Sequence, residues 1–560
     1  MKTLKISIFL LVASLFSLTH SSCTDEFVEV NSNSSTVYKV DPVSLIYNVQ
    51  TNTRSSSWEW YYDYYTAQMR WMQYGCRVIG NTPTVYTIWN PNIGAQRYSN
   101  CWINTGSYAR HIEYYVQSNM PEEAASYSNL IEAAKVTLIY QGIITSDFHG
   151  SLAYTEGWNA RSGGDITDPK FESQQELYTI WDAELKNAIS KFKTNTNQKS
   201  MVGYDMAYNG DINGWIKAAN ALRLRIALRL MKRDIAKAKQ IATEVLATPS
   251  DLPAKNEDGF IFWLEGKYSE NGDYYSINDL IRASKGMMNY LNKYNDPRKR
   301  MFFRINNLTP ENVAEYNTGL AADKQIPTTW GRWEGGTANT DGGAADRKYE
   351  RNVLDPSGRA ISMQAVNLPQ TRIFAGSYDK GSGGTWFPNV TYPDFCFMAA
   401  EFVLNGVSSN KSAEEWYTSG VRGSLDLWNK VGDFCKVHDY VPMTETEITT
   451  FMNQEDIKWN PAKGLEQIYC QSYIEHFKNS NEGWALWKRT GYPTTSSIVA
   501  LEDVYVGGVK QNMPRRSRFT IPLEGTPNYQ NMKARIEDMA KDADFGDMSS
   551  EYGRIWWDKK

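Results

Sequence analysis

The chain has 560 residues, a formal net charge of −4 at pH 7 and a pI near 5.9. This nearly balanced charge argues against a protein that holds nucleic acid electrostatically, and no long basic run occurs. The length suffices for two ordinary domains, or for one large domain with insertions and a substantial core.

The chain begins with the anatomy of a signal peptide. Lys2 and Lys5 form a short basic start, and the apolar run at 6–18 is too short for a permanent membrane span. Small residues then precede Cys23, whose thiol is a candidate for acylation before cleavage makes it the mature N-terminus. We therefore predict a lipoprotein signal peptide at 1–22 and a lipid on Cys23. The alternative is an ordinary secretory signal cut near Ser22, with an incidental thiol.

A polar segment follows the lipidation site. Residues 23–41 contain few large apolar side chains, which is typical of a tether, and we expect the globular body at 42–560. Asp25 and Glu26 lie directly behind Cys23 and do not assist acylation, so they need a separate explanation. After the leader no apolar stretch approaches the ~20 residues of a membrane span, so we expect the lipid alone to hold the body to a membrane.

Helical periodicity marks both halves of the body. The helical patterns run over 121–150, from 172 to 189, 211–233, 234–247, 393–406, 412–431 and 464–492. The stretch at 211–233 is apolar on nearly every face, which is typical of a helix inside a stack. Pairs of such helices joined by short turns favour a mainly α fold of tetratricopeptide-like hairpins, although the repeat signature itself is absent.

The middle of the chain has a different amino-acid composition. From about 250 to 390 it is rich in Gly, Asn, Asp and aromatic residues, as expected of a long insertion that carries function. The chain contains 19 Trp, 35 Tyr and 20 Phe, so some rings must lie at surfaces, where flat apolar faces meet ligands. The densest aromatic stretch, 56–65, directly precedes an apparent helix at 67–75, and we interpret it mainly as core or contact surface.

Several cysteines, arginines and histidines could suggest a functional site, but packing explains them better. We predict buried unpaired thiols for the five cysteines of the body, with a Cys76–Cys101 bridge as the one alternative.

Arginines on a buried helix pair with neighbouring acids more often than they bind an anion. The helix at 211–233 carries three of them, Arg223, Arg225 and Arg229. The body's histidines stand apart and fit packed or surface positions: His111, His149, His438 and His476.

Motifs of catalysis are missing from the sequence. It contains no HExxH, GxSxG or CxxC pattern, no phosphate-binding loop and no GxGxxG that follows a strand. A glycosidase needs two facing carboxylates, but the 63 acidic residues single out no pair. The sequence therefore singles out no catalytic residue, no metal site and no cofactor site.

Several segments together resemble the SusD/RagB family, surface lipoproteins of Bacteroidota that work with TonB-dependent transporters. The matching stretches are DFHGSLAYTEG within 147–157, 208–230, 481–493, 514–531 and the terminal RIWWDKK. Ala153, and the pair Trp484 and Ala485 within EGWALWKRT, depart from the usual pattern and are interpreted as drift. Prolines in the 514–531 run favour an extended segment that packs back across the helices.

The resemblance implies a helical frame whose loops form the ligand face. Such a protein is a lid on a SusC-like barrel; it captures glycan or, in some members, peptide, and it is not an enzyme. In the hosts of this family, acids after the lipidated cysteine resemble a signal for the outer face of the outer membrane. Asp25 and Glu26 fit that signal, so we expect the body to face the cell exterior.

Candidate ligand residues are aromatic rings that lie beside polar groups. Sugars stack their CH faces on Trp or Tyr and bond their hydroxyls to Asn, Asp, Gln and Arg. We expect ligand contacts from Trp89 and Asn90, from Tyr274 and Tyr275, from Trp330, Arg332 and Trp333, and from Trp386. The region 329–336 is the best candidate, because Gly331, Gly335 and Gly336 leave its rings little room for core burial.

Three functions remain open at this point. The first is a glycan-capturing lid of a TonB-dependent uptake complex. The second is the same lid for peptides, which needs a groove with free backbone edges. The third is a surface hydrolase, which needs a carboxylate pair or a metal site in the loop-rich middle.

Overall fold

A computed structural model describes residues 41–53, 57–77, 90–265, 277, 281–339, 352–354, 358, 360–374 and 383–560. The predicted signal peptide, Cys23, Asp25, Glu26 and nearly all of the tether lie outside these residues. No helix in the described part combines the length and the apolar character needed to cross a membrane.

The described part is mainly helical, which confirms the predicted fold class. In the first half the helices are α1 (Leu45–Thr53), α2 (Ser57–Glu59, a π-helical Trp60–Gln68, and Met69–Trp71), α3 (Ala95–Ser99, a π-helical Asn100–Gly106, and Ser107–Asn119), α4 (Ser128–His149), α5 (Gln174–Thr194), α6 (Ile212–Leu230) and α7 (Ile235–Leu246). In the second half they are α8 (Lys285–Lys293), α9 (Lys299–Phe302), α10 (Pro310–Asn317), α11 (Tyr392–Leu404), α12 (Ala413–Phe434), α13 (Glu445–Met452), α14 (Gly464–Glu475), α15 (Ser480–Thr490) and α16 (Tyr529–Met539).

Side-chain caps set where these helices begin. Ser173 and Glu176 form a capping box at α5, and Ser412 and Glu415 form another at α12. Asp211 caps α6 by accepting a hydrogen bond from the Asn213 amide. The helices predicted over 172–189, 211–233, 234–247, 393–406 and 412–431 are confirmed, with boundaries that move by a few residues. The helix predicted over 121–150 begins only at Ser128, and the pattern at 464–492 is divided into α14 and α15.

Consecutive helices pack as neighbours. α4 lies against α5, α5 against α6 and α6 against α7, while α11 packs on both α12 and α14. The middle helix α6 is buried along nearly its whole length, as its apolar sequence predicts. These hairpins give the helical frame its tetratricopeptide-like character.

Residues 57–65 of the aromatic stretch are helical, which differs from the expected helix start at 67. Trp60 and Tyr65, both within the π-helical turn, are buried in the core. Trp58 stays 51% exposed and stacks on Tyr62 at a ring-centroid distance of 5.8 Å. Tertiary packing therefore overrides the weak helix propensity of aromatic residues.

Strands occur as short antiparallel pairs in the described residues. They are β1 (Gly75–Arg77) with β3 (Ile281–Ala283), β2 (Phe260–Leu264) with β6 (Thr385–Val390), β4 (Asn352–Leu354) with β5 (Ala360–Ser362), and β7 (Tyr505–Val506) with β8 (Val509–Lys510). The β2–β6 pair opposes Trp263 and Trp386. Because the two strands are far apart in the chain, this pair ties the ends of the loop-rich middle together.

The three arginines of α6 form ion pairs, as predicted. They pair as Arg223 with Asp182 and Glu244, Arg225 with Asp394 and Glu482, and Arg229 with Asp147 and Glu482. The partners come from helices on several sides of α6, so these bonds fix the stack.

The C-terminal run packs back on the helices, also as predicted. The Ser517 amide donates to the Phe148 carbonyl at 3.0 Å, and the Trp484 indole donates to the Pro514 carbonyl at 2.8 Å. The five body cysteines are buried free thiols, so Cys76 and Cys101 do not pair.

Candidate functional site

A surface cavity of about 460 Å³ lies where α10 meets the segment around Trp330. Its volume falls within the ~300–1,000 Å³ that small-ligand pockets span. The lining residues are Leu308, Thr309, Pro310, Val313, Ala314, Asn317, Thr328, Trp330, Gly331 and Arg332. It therefore contains two of the residues predicted from the sequence, Trp330 and Arg332.

The cavity wall is built by the start of α10. Thr309 caps this helix by accepting a hydrogen bond from the Asn312 amide, and Pro310 suits its first turn. This turn directs Leu308 and Val313 into a small satellite core, against which the partly buried Trp330 packs. The tryptophan thus stands between an apolar support and the cavity, which is suited to stacking on the CH face of a sugar.

Arg332 is anchored by a buried amide. Its Nε donates to the Asn306 carbonyl at 2.8 Å. Asn306 is 5% exposed, and its side chain donates to the carbonyls of Gly331 at 3.1 Å and Ala365 at 2.8 Å while accepting from the Leu308 amide at 3.1 Å. The position of the guanidinium is therefore set by the framework beneath the cavity.

Trp333 does not line the cavity. Its ring is partly buried against the main core, with the Lys299 ammonium 5.1 Å from the ring centroid. The backbone nearby is fixed, because Gly335 lies so close to Ser284 that a Cβ would be 2.4 Å from the Ser284 carbonyl oxygen. The segment 329–336 therefore presents one of its two tryptophans to the cavity and packs the other.

Glu334 supports the turn of this segment. Its Oε1 accepts a hydrogen bond from the Gly331 amide at 2.7 Å. Partial burial raises the pKa of this carboxyl above its ordinary value. Its role is structural, since it holds the chain between Trp330 and Trp333.

Two other residues that the sequence predicts as ligand contacts lie away from the cavity. Asn90 forms a turn in which its side-chain oxygen accepts from the Asn92 amide at 2.9 Å, and it does not line the cavity. The prediction for Trp386 is wrong, because its side chain is fully buried, 5.8 Å from the Trp263 ring and 5.1 Å from the Trp428 ring. Pairing of β6 with β2 turns this ring into the core. Trp89, Tyr274 and Tyr275 lie outside the described residues.

Sequence reasoning missed the apolar half of the cavity. Leu308, Pro310 and Val313 lie in NNLTPENVAEYN, which has the ordinary pattern of a helix start. The Thr309–Pro310 cap was the available signal, because it fixes how α10 leaves the loop. A second cavity of about 420 Å³, beside Trp487, Thr495 and Asn512, was also not foreseen.

The described lining of the Trp330 cavity carries one charged side chain, Arg332, and no carboxylate. Across the described residues no three His, Cys, Asp or Glu side chains converge in a way that could hold a metal ion. The arrangement offers an apolar wall, an aromatic ring and a fixed cation, which are means of binding.

The sequence pattern of the SusD-like family, described as "Starch-binding associating with outer membrane", matches residues 32–333 and 355–520. These two ranges make up most of the chain. The protein belongs to the SusD-like family. No curated protein matches its sequence.

Solved structures of SusD-like proteins share this fold. A chitin-binding protein is 21% identical and has a TM-score of 0.70, with 93% of this chain and 100% of that chain covered. A SusD-like protein of Bacteroidetes is 19% identical, with a TM-score of 0.67 and coverages of 93% and 100%. A chitin-binding SusD homologue from Flavobacterium johnsoniae is 19% identical, with a TM-score of 0.65 and coverages of 92% and 97%. These likenesses establish the fold.

In this SusD-like protein, three segments that carry the family resemblance meet at one buried cluster. Asp147 comes from 147–157, Arg229 from 208–230 and Glu482 from 481–493, and the arginine contacts both acids at 2.9 Å. The side chains are almost completely buried. The resemblance therefore rests on the architecture, whereas the Trp330 cavity lies in a segment outside those motifs.

Proposed function

We propose that this protein is a surface lipoprotein that captures glycan and passes it to a SusC-like TonB-dependent transporter, on which it acts as a lid. The observation that carries the proposal is the Trp330 ring at the wall of a ligand-sized cavity. An aromatic ring above an apolar floor, with polar groups at the rim, suits a pyranose.

Family membership supports the ligand class. The family is described as starch-binding, and two solved relatives are named as chitin-binding. Both descriptions are of polysaccharides, so a glycan is the first candidate here. Catalysis is not part of the proposal, because the described cavity lining offers no acid or base.

The proposed location is the outer membrane, with Cys23 as the lipid anchor and the body facing the cell exterior. The family description associates its members with the outer membrane. The transporter partner can be tested by purifying the tagged protein from outer membranes in mild detergent and identifying any large barrel that accompanies it.

Isothermal titration of the full-length protein in detergent, against a panel of neutral and acidic polysaccharides and against peptide mixtures, tests the ligand. We expect glycan binding, a rise in Kd of about tenfold or more in Trp330→Ala, and no product on analysis of the mixture. Trp58→Ala is the matched control, since it removes another partly exposed tryptophan that does not line the cavity.

The other possible results of this titration would each favour a different function or a different binding site. Peptide binding without glycan binding would favour the peptide lid, and turnover of a glycan would favour the hydrolase. Loss of binding in Trp58→Ala with normal binding in Trp330→Ala would move the glycan site to the exposed Trp58–Tyr62 stack.

A further inference from the structure

The Arg332 guanidinium uses only some of its N–H donors within the described residues. It donates through Nε to the Asn306 carbonyl, and its two terminal nitrogens contact no acceptor among the described residues. It also forms no ion pair with a described carboxylate, whereas the nearby Arg300 binds both carboxylate oxygens of Glu447 at 2.9 and 3.0 Å. Arg332 is thus a cation held at a cavity rim, and its two terminal nitrogens have no acceptor in the part of the chain that the structure describes.

Glu334 and Glu311, two acids next to the cavity lining in the sequence, are engaged elsewhere. Glu334 accepts from the Gly331 amide at 2.7 Å. Glu311, in the first turn of α10, bonds its own backbone amide and the Thr309 hydroxyl, and these bonds lower its pKa. Neither carboxylate therefore neutralises Arg332.

The hydrogen bond to the Asn306 carbonyl restricts the position of the Arg332 side chain. Asn306, which accepts from its Nε, is itself held by three hydrogen bonds and is buried. A guanidinium fixed through Nε presents a planar pair of N–H groups that match two oxygens of one anionic group. Less side-chain entropy is lost on binding when the fork is already positioned.

We infer that the glycan bound at this cavity carries an anionic substituent, a uronate carboxylate or a sulfate, which Arg332 holds while Trp330 stacks on the sugar ring. This inference rests on the proposed function and specifies its ligand class. A planar carboxylate and a tetrahedral sulfate both offer two oxygens to one guanidinium, so the experiment must separate them.

The test uses two matched pairs of oligosaccharides and the full-length protein in detergent. The first pair is oligogalacturonate and its carboxyl-reduced form, and the second is a carrageenan oligosaccharide and its desulfated form. We expect one acidic member to bind about 10- to 100-fold more tightly than its neutral counterpart, as a charge-assisted bidentate hydrogen bond predicts. The pair that shows the difference identifies the anionic group.

Substitutions assign the effect to Arg332. Arg332→Gln should abolish the difference in affinity between the acidic and the neutral member of the pair, while Arg332→Lys should keep part of that difference. Lys324→Gln is the matched control, because Lys324 is an exposed cation outside the cavity lining. Equal thermal unfolding of the variants shows that the fold is intact.

The outcomes separate this inference from the proposed function. Equal binding of acidic and neutral members, or a difference that persists in Arg332→Gln, overturns the inference; if Trp330→Ala still loses the neutral glycan, the proposed function stands. Absence of binding to every glycan overturns both. Binding of a peptide through its free carboxyl terminus, lost in Arg332→Gln, would replace the anionic glycan with a peptide.

Discussion

The Arg229 guanidinium and the Asp147 carboxylate join α6 to α4 through two parallel hydrogen bonds, Nε to Oδ1 at 3.1 Å and Nη2 to Oδ2 at 2.9 Å. Glu482 on α15 accepts from the same Nη2. Because all three side chains are buried, the loss of the cation leaves Asp147 without its ion pair in a low-dielectric interior, while Glu482 keeps its ion pair with Arg225 at 3.5 Å.

Replacement of this buried arginine should be severe. We expect Arg229→Gln to lower the free energy of unfolding by about 3–5 kcal/mol, measured by urea denaturation. The matched control is Arg422→Gln, which breaks an exposed pair with Asp426 and should cost about 0–1 kcal/mol. Equal effects of the two substitutions would contradict a special role for the buried cluster.

The pH dependence of stability should contain a contribution from His149. The ring nitrogen Nε2 lies 3.0 Å from the Gly94 carbonyl oxygen, and burial, with Arg535 nearby, lowers the pKa of this histidine to about 3. Between pH 3 and 6.5 the unfolded chain binds a proton that the folded protein does not. The free energy of unfolding should therefore fall as the pH decreases from 6.5, by up to ~1.4 kcal/mol per pH unit.

A variant is needed to isolate this contribution. Burial raises the pKa of Asp63 to about 7, and this carboxyl gives a slope of the opposite sign between pH 3.8 and 7. The difference in free energy of unfolding between the wild type and His149→Gln should grow steadily from pH 4 to pH 6.5 and then level off. A difference that does not change with pH would contradict the prediction.

Thiol chemistry should distinguish the folded from the unfolded protein. Burial raises the pKa of the Cys101, Cys396 and Cys470 thiols to about 12, and all five body thiols are buried. We expect none of the five to react with a thiol reagent at pH 7 in native buffer, and all five to react in guanidinium chloride. A count of three after unfolding would instead indicate a disulfide.

Export to the outer face should depend on the acids behind the lipid. We expect Asp25→Ala with Glu26→Ala to leave the protein membrane-bound but protected from protease added to intact cells. Glu122→Ala with Asp165→Ala removes two exposed acids of the body and should leave the protein accessible. Full accessibility of the first variant would refute the export signal while leaving the lipid anchor untouched.

Local sequence patterns were sufficient for the helical frame. The 3.6-residue period of α4 and α6 and the Ser–x–x–Glu boxes of α5 and α12 act within one or two helical turns, so they can be read directly from the chain. The arginines of α6 were also predictable as paired groups, because a buried helix cannot leave a charge uncompensated.

The candidate site was only partly predictable. Trp330 and Trp386 both stand in glycine-rich aromatic segments, yet the first lines the cavity and the second is fully buried. The difference comes from the pairing of Trp386 with Trp263 across β6 and β2, a contact between distant parts of the chain. No local pattern around either tryptophan contains that information.

The sequence by itself determined the helical class and the family of this protein, since these depend on residue type and spacing along the chain. The tertiary structure decided which of the described aromatic rings reach the surface, and it left Arg332 without an ion pair among the described residues. Burial and ion pairing are properties of neighbours in space, so the roles of Trp330 and Arg332 become visible only when α10 and the 329–336 segment come together.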